Sequence, residues 1–382
     1  MSNTSPSGLP RARALGIVFP GKSGAHNAIT DIPGVEVGYV TKIEGQDIRT
    51  GVTAILPRGK EGVGIPCSAA FYSLNGNGEM TGTIWIEESG SLSMPILITN
   101  THAVGQVHSG VIEWVVENKP SVAARWLFPV VAETWDGYLN EINQIVVSKD
   151  DAKKAINSAA SGAIDEGSVG GGTGMNCYQY KGGTGTSSRV VEYADHDYTV
   201  GAFVQANFGH REELTIRGIS MQNSKIPNPM ADEDWFQKDQ NRYRPPGGAG
   251  SVIVVIGTDA PLLPLQCKAL AKRVPLGLAR TGTTGSHFSG DIFLVFSTAN
   301  EGSFASDFPS GEPTESDFDT SISIPWGRMD AFYTATVHAV EEAVINALVV
   351  NKDMDGRGGH KSYALRHEFI QSKFRTQPQS GD

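Results

Sequence analysis

The stretch "YRPPGGAGSVIVVIGTDAPL", residues 243–262, sets a serine where a loop of prolines and glycines meets an unbroken apolar run. A serine hydroxyl can attack the carbonyl of the peptide bond just before it. Glycine at the preceding position removes the Cβ that would obstruct the approach. Water can then hydrolyse the resulting ester, so the chain can split between Gly250 and Ser251. The α-amino group released on the serine would titrate at roughly pH 7.7–8.0 within reach of its own hydroxyl, an internal general base. Such a base is needed, because the nine histidines include no pair at ligand spacing beside a carboxylate on one helix. His102 and His108, for instance, do not share a helical face. A flexible linker entering a strand is the competing reading of Gly250–Ser251.

Three further constellations can serve a serine nucleophile. In "GLARTGTTGSHFSGDIFLVFSTAN" (277–300), Ser289 and Asp291 stand one residue apart at the lip of a strand predicted from Asp291. In extended backbone they face the same side, where a hydroxyl and a carboxylate can relay and orient a proton. A loop with a strand-capping Asp is the plain alternative. In "VAETWDGYLNEIN" (131–143), Glu133 and Asp136 can bind a cation such as a substrate ammonium, or be solvated turn residues. Asn207 ends the run "VQANFG", where a side-chain amide can donate to a developing oxyanion, although Asn before a turn is ordinary.

Other chemistries are absent or poorly supported. No serine carries the G-x-S-x-G elbow, and H-E-x-x-H does not occur. "GIVFPGKS" (16–23) has P-loop spacing, but Ile17, Val18, Phe19 and Pro20 make its loop apolar and short of an N–H, so the match is read as chance. "GSVGGGTGMN" (167–176) follows a helical-looking segment and lacks the lysine of a nucleotide cradle; it reads as a tight structural turn that can line a site. Net charge is −10 with no Lys/Arg block, which leaves no footprint for nucleic acid. Cys67, Cys177 and Cys267 lie far apart without a C-x-x-C pair and read as buried small hydrophobes. No metal site and no cofactor are expected. No apolar run is long enough to span a membrane and no signal peptide is evident, so a cytoplasmic protein without a membrane partner is expected.

The elements that must position these residues read as α/β. The length of 382 residues suits one large domain or two smaller ones, and 45 glycines with 19% charged residues favour tight turns and backbone close to ligands. Strands are predicted over 51–57, 95–101, 188–194, 199–209, 214–221, 251–258 and 291–299, with a hairpin about Asp195 to Asp197. Helical periods run through 103–118, 261–274 and, most cleanly, "RMDAFYTATVHAVEEAVINALVV", where Met329, Tyr333, Val337, Val340, Val344 and Leu348 form one stripe. Several strands are continuously apolar, hence covered on both faces, which suits a layered sandwich with helices outside. The polar segment 222–250, with its prolines, reads as unpacked chain.

Taken in order, "AITDIPGVEVGY" (28–39), "SLNGNGEMTGTIWIEESG" (73–90), "ITNTHAVG" (98–105), "ETWDGYLN" (133–140), "GSVGGGTGMN", "VQANFG", Gly250–Ser251 and "LARTGTTGSHFSGDIFLVFSTAN" (278–300) resemble the β-aminopeptidase family that includes the L-aminopeptidase/D-alanine esterase-amidase enzymes. The resemblance implies a four-layer αββα sandwich like that of N-terminal nucleophile hydrolases. It implies one catalytic domain over 1–382, cut by itself into an α chain (1–250) and a β chain (251–382) that stay together, with αβ units assembled as a homo-tetramer. On the matching positions it implies Ser251 as nucleophile, Ser289 and Asp291 completing its relay, Asn207 in the oxyanion hole, and Glu133 holding the substrate's free amine. An aromatic role near Glu133 falls to Trp135 or Tyr138. Asp291 stands where some relatives carry Glu, a shorter reach. The implied substrates are short peptides or amino-acid amides and esters with a free amino end. The rival readings are an acyltransferase like ornithine acetyltransferase, which uses threonine, and a non-catalytic binding protein on the same scaffold.

Overall fold

The structure, a computed structural model, describes residues 3–231, 250–306, 308 and 311–374. Its main strands in chain order are β1 (Glu36–Glu44), β2 (Ile48–Leu56), β3 (Cys67–Gly76), β4 (Ser91–Leu92), β5 (Ile96–Asn100), β6 (Val130–Thr134), β7 (Gly183–Tyr193), β8 (His196–Asn207), β9 (Gly250–Thr258) and β10 (Ser289–Ser297). They build a four-stranded sheet in the order β1-β2-β5-β6 and a six-stranded sheet in the order β4-β3-β10-β9-β8-β7. The larger sheet is antiparallel except where β9 runs parallel to β10. A parallel pair needs a crossover, and the helices α3 (Pro264–Ala271) and α4 (Val274–Ala279) lie in the connection between these two strands.

Alternation along β9 shows how the layers form. Ile253 and Val255 meet Ile96, Ile98, Val130 and Ala132 of the smaller sheet. Val252, Val254 and Ile256 turn the other way, onto the helical layer that includes Val340 and Val344 of α5 (Asp330–Val349). On the far side, Val52, Leu97 and Val131 of the smaller sheet pack against Val107, Val111 and Trp114 of α1 (Val104–Asn118) and Ala152 and Ile156 of α2 (Lys149–Asn157). The result is helix, sheet, sheet, helix, the αββα sandwich that the family resemblance implies. The continuously apolar strands are those covered on both faces.

Three local expectations are revised. Residues 214–221 are not one strand: Arg217 and Gly218 take positive φ of 52° and 77° and split it into a two-residue ladder, Thr215–Ile216 with Ile219–Ser220. The turn after β7 comes slightly earlier than expected, since Tyr193 already pairs with His196. The strands β1, β3, β4 and β6 were not anticipated. Of the polar segment 222–250, residues 232–249 lie outside the described residues. The 16–23 stretch is a pinned loop, with Pro20 O accepting from Arg189 Nε at 2.7 Å and Lys22 O from Val190 N at 2.8 Å. Among the described residues, no helix is long and apolar enough to cross a membrane.

Candidate active site

Ser251 is the second residue of β9 and is paired on one side with Asn207 of β8, on the other with Gly290 of β10. It falls on the same strand face as Ile253 and Val255, so its hydroxyl opens towards the space between the sheets at their end. Ser251 Oγ donates to the carbonyl oxygen of Gly250 at 2.7 Å. The hydroxyl thus already rests against the bond the sequence marked for attack. Gly250 is required here by close approach: a Cβ on it would lie 2.3 Å from the carbonyl oxygen of Asn207.

Directly paired residues of antiparallel strands project their side chains to one face, so the Asn207 amide stands beside the Ser251 hydroxyl. Its orientation is fixed from two directions. Asn207 Oδ1 accepts from the Asn176 N–H at 2.9 Å, and Nδ2 donates to the Trp135 carbonyl at 2.8 Å. An amide has two N–H donors, so one remains for a developing oxyanion.

On the other side of β9, the parallel register sets Ser289 against Gly250 and Asp291 against Val252. The two side chains face the same way, as the spacing predicted, and Ser289 Oγ donates to Asp291 Oδ1 at 2.5 Å. Asp291 Oδ2 accepts from Asn75 Nδ2 at 3.1 Å, and the same Nδ2 reaches the Ser286 carbonyl at 2.9 Å. Burial pushes the Asp291 carboxyl above its ordinary range, while Ser289, Asn75 and the Val252 N–H pull it back. Among the described hydrogen bonds, the pair reaches its neighbours rather than Ser251 Oγ, so it flanks the backbone around the nucleophile. Asn75 lies in the "SLNGNG" segment without a distinguishing pattern, and sequence reasoning gave it no role.

Glu133 comes from β6, at the edge of the smaller sheet. Its Oε1 accepts from the Glu79 N–H at 2.9 Å and its Oε2 from the Thr101 hydroxyl. Oε1 and the Cα of Gly290 both lie 3.1 Å from where a Cβ on Gly78 would sit. The carboxylate therefore reaches the neighbourhood of Ser251 across a glycine. Burial raises its pKa, and the Thr101 and Glu79 donors lower it.

Asp136 does not join Glu133. It is buried, accepts from Asn140 Nδ2 at 3.0 Å, leaves Oδ2 without a hydrogen-bond partner, and is raised to about 7 by burial. Trp135 is part exposed and adds its carbonyl to the Asn207 clamp. Tyr138 is 2% exposed and stacked on His360 at 4.8 Å, with its hydroxyl donating to the Lys361 carbonyl at 3.2 Å. The 167–176 segment is a tight turn, as read: a Cβ at Gly171 would meet Gln205 Oε1 at 2.3 Å. It also feeds the site, because it ends in the Asn176 N–H that holds Asn207.

A buried serine at a strand mouth, flanked by an oriented amide, a hydroxyl–carboxylate pair and a separate buried carboxylate, is an arrangement suited to hydrolysis through a serine nucleophile. Comparison with known proteins agrees. The model of peptidase family S58 matches residues 27–362. The chain is 45% identical over 374 residues to β-peptidyl aminopeptidase BapA of Sphingosinicella microcystinivorans, covering 95% of this chain and 91% of the relative. The corresponding protein of Sphingosinicella xenopeptidilytica is 39% identical over 378 residues, covering 94% and 90%. Among solved structures, the L-aminopeptidase D-Ala-esterase/amidase from Ochrobactrum anthropi, described as a variant of the Ntn hydrolase fold, superposes with a TM-score of 0.85 at 42% identity, covering 96% of this chain and 98% of that one. A Burkholderia sp. β-aminopeptidase gives 0.84 at 40% identity, covering 96% and 100%. The chain belongs to peptidase family S58, with the Ntn-hydrolase fold, and is a peptidase. These likenesses do not favour the acyltransferase or non-catalytic readings.

Proposed function

We propose that this chain is made as a precursor, cuts its own Gly250–Ser251 bond, and then acts as a serine aminopeptidase with Ser251 as nucleophile. The observation that carries the proposal is the Ser251 hydroxyl resting 2.7 Å from the Gly250 carbonyl oxygen beside the clamped Asn207 amide. In the first step Oγ bonds to the Gly250 carbonyl carbon, the C–N bond breaks, and the nitrogen leaves as the α-amine of Ser251. Water hydrolyses the Gly250 ester. Residues 1–250 and 251–382 then form two chains of one folded unit.

In turnover the α-amine takes the hydroxyl proton as Oγ attacks the first carbonyl of the substrate. The free N–H of Asn207 meets the oxyanion, a contribution on the order of 10²–10³ in rate. Asp291, through Ser289, stabilises the ammonium that Ser251 becomes. That ammonium returns its proton to the leaving amine, and water releases the acyl group. Glu133 binds the substrate's own ammonium and so selects for a free amino end; Trp135 lines its approach. Tyr138 supports the wall from within the packing.

Short peptides, amides or esters with an N-terminal α- or β-amino acid fit this site, in keeping with relatives named as β-peptidyl aminopeptidases and as an L-aminopeptidase and D-Ala-esterase/amidase. A tetramer of αβ units would cover exposed apolar side chains such as Ile84, Trp126 and Leu265. Intact mass and N-terminal sequencing of fresh protein test the reading. We expect two chains, the smaller beginning Ser-Val-Ile-Val, and a single uncut, inactive chain for Ser251→Ala. Two chains from Ser251→Ala would end the assignment.

A further inference from the structure

Lys181 is, among the described residues, the one fully buried lysine, and its Nζ forms no ion pair among them. The buried arginines do not share this condition: Arg11 meets Glu166 at 2.6 Å and Arg189 meets Glu342 at 2.7 Å. Taking an amine out of water without a counter-ion costs several kcal/mol, and a methionine would fill similar space without that cost. Burial accordingly lowers its pKa to about 7.

The amine is spent on two backbone carbonyls. Nζ donates to Met175 O at 2.9 Å and to Gly182 O at 2.8 Å. This closes a short hairpin in which Asn176–Cys177 pairs with Tyr180–Lys181, joined by Tyr178 and Gln179 at positive φ of 51° and 56°. The hairpin is docked on the end of β8. The Tyr178 N–H donates to Phe208 O at 2.6 Å, and the Tyr178 ring fills the space that a Cβ on Gly209 would need.

One peptide unit links the amine to the catalytic amide. Its carbonyl, Met175 O, accepts from Lys181 Nζ and, at 2.9 Å, from the Gly182 N–H; its N–H, on Asn176, donates to Asn207 Oδ1 at 2.9 Å. A hydrogen bond at the carbonyl end of a peptide polarises the N–H at the other, so the clamp both places and strengthens that contact.

We propose that Lys181 is a positioning residue for the oxyanion donor: it clamps the Met175–Asn176 peptide so that the Asn207 amide keeps one N–H aimed at the carbonyl oxygen reacting on Ser251. This rests on the assignment of Ser251 and Asn207 given above. It excludes a role in binding the substrate's ground state.

The test compares wild type with Lys181→Met and Lys181→Gln as purified, self-processed protein, using a chromogenic aminoacyl anilide and aminoethylboronic acid as a tetrahedral analogue. For Lys181→Met, kcat should fall roughly tenfold, a fraction of the loss expected for deleting an oxyanion donor, with KM within about twofold. Affinity for the boronate should fall by the same factor as kcat/KM, while the melting temperature holds or rises. Lys181→Gln, which keeps two N–H donors on a shorter stem, should recover part of both. An unchanged kcat, or a loss of kcat with boronate affinity intact, overturns the proposal. Should Lys181→Met not fold, Lys181→Gln is read by the same parallel. A failure of the underlying assignment looks different: the boronate would not inhibit wild type, or Asn207→Ala would retain full kcat.

Discussion

A carboxylate that receives an ammonium must be dry enough to bind it firmly, yet not so dry that it keeps its own proton. At Glu133 the two demands are set against each other: burial raises its pKa while the Thr101 hydroxyl and the Glu79 N–H stabilise the charged form. Replacing it with the isosteric amide keeps the shape and removes the charge. Glu133→Gln should raise KM for a free-amine substrate about tenfold or more, ~1.4 kcal/mol, with a smaller change in kcat. In wild type, KM should climb on acidification over a range displaced upward from that of an exposed carboxylate. Steady-state kinetics across pH check both points. An unaltered KM in Glu133→Gln would remove the residue from substrate binding.

At the scale of elements, the proposed self-cutting would depend on the entry of β9. The carbonyl of Asn207 occupies the place a Cβ on Gly250 would take, 2.3 Å away, and that carbonyl belongs to a paired strand that cannot retreat freely. Gly250→Ala should therefore displace the scissile carbonyl from Ser251 Oγ and slow cutting roughly hundredfold, the scale of an ångström's misplacement. A time course of two-chain appearance on a denaturing gel measures it. Cutting at the wild-type rate would show that the approach of β8 does not set the geometry.

The same strand shows what could be read from sequence. β9 and β10 are apolar without interruption because helices cover one face and a sheet the other, so they stood out. Ser289 and Asp291 were legible because period-two geometry places them together before any fold is known. β1, reading EVGYVTKIE, is half exposed and mixes charge with branched residues; β6 is only five residues long. Neither has a period long enough to register. The roles of Asn75 and Lys181 depend on contacts across 216 and 6 residues with no pattern of residue types to announce them. The family resemblance, not periodicity, supplied the joint assignment of Ser251, Asn207 and Glu133.

For the molecule as a whole, two buried groups tie stability to pH over windows that barely meet. Asp136 binds its proton more tightly folded, at about 7 against the ordinary 3.8, so its contribution is full below the lower value and is lost as pH rises through the upper. Lys181 sheds its proton on folding, at about 7 against 10.5, so its contribution grows as pH rises above neutrality. Asp136→Asn should thus flatten part of the fall in melting temperature between pH 4 and 7, leaving the alkaline side as in wild type. Thermal melts across pH decide this. Parallel curves for the two proteins would mean that Asp136 does not carry the titration.

Chain ends ordinarily lie at a protein's surface. Cutting at Ser251 would make one inside a six-stranded sheet, with β8 and β10 on either side. Ribosomal synthesis alone has no easy route to such a terminus, because the strand must first be threaded into place as part of a continuous chain. The connection that guides it would then be destroyed by the chemistry it made possible. Folding would become a one-way event: a molecule unfolded after cutting must bring two separate chains together, with no tether to confine the search. Loss of the mature enzyme to heat would accordingly be permanent at temperatures from which its uncut Ser251→Ala precursor could still return.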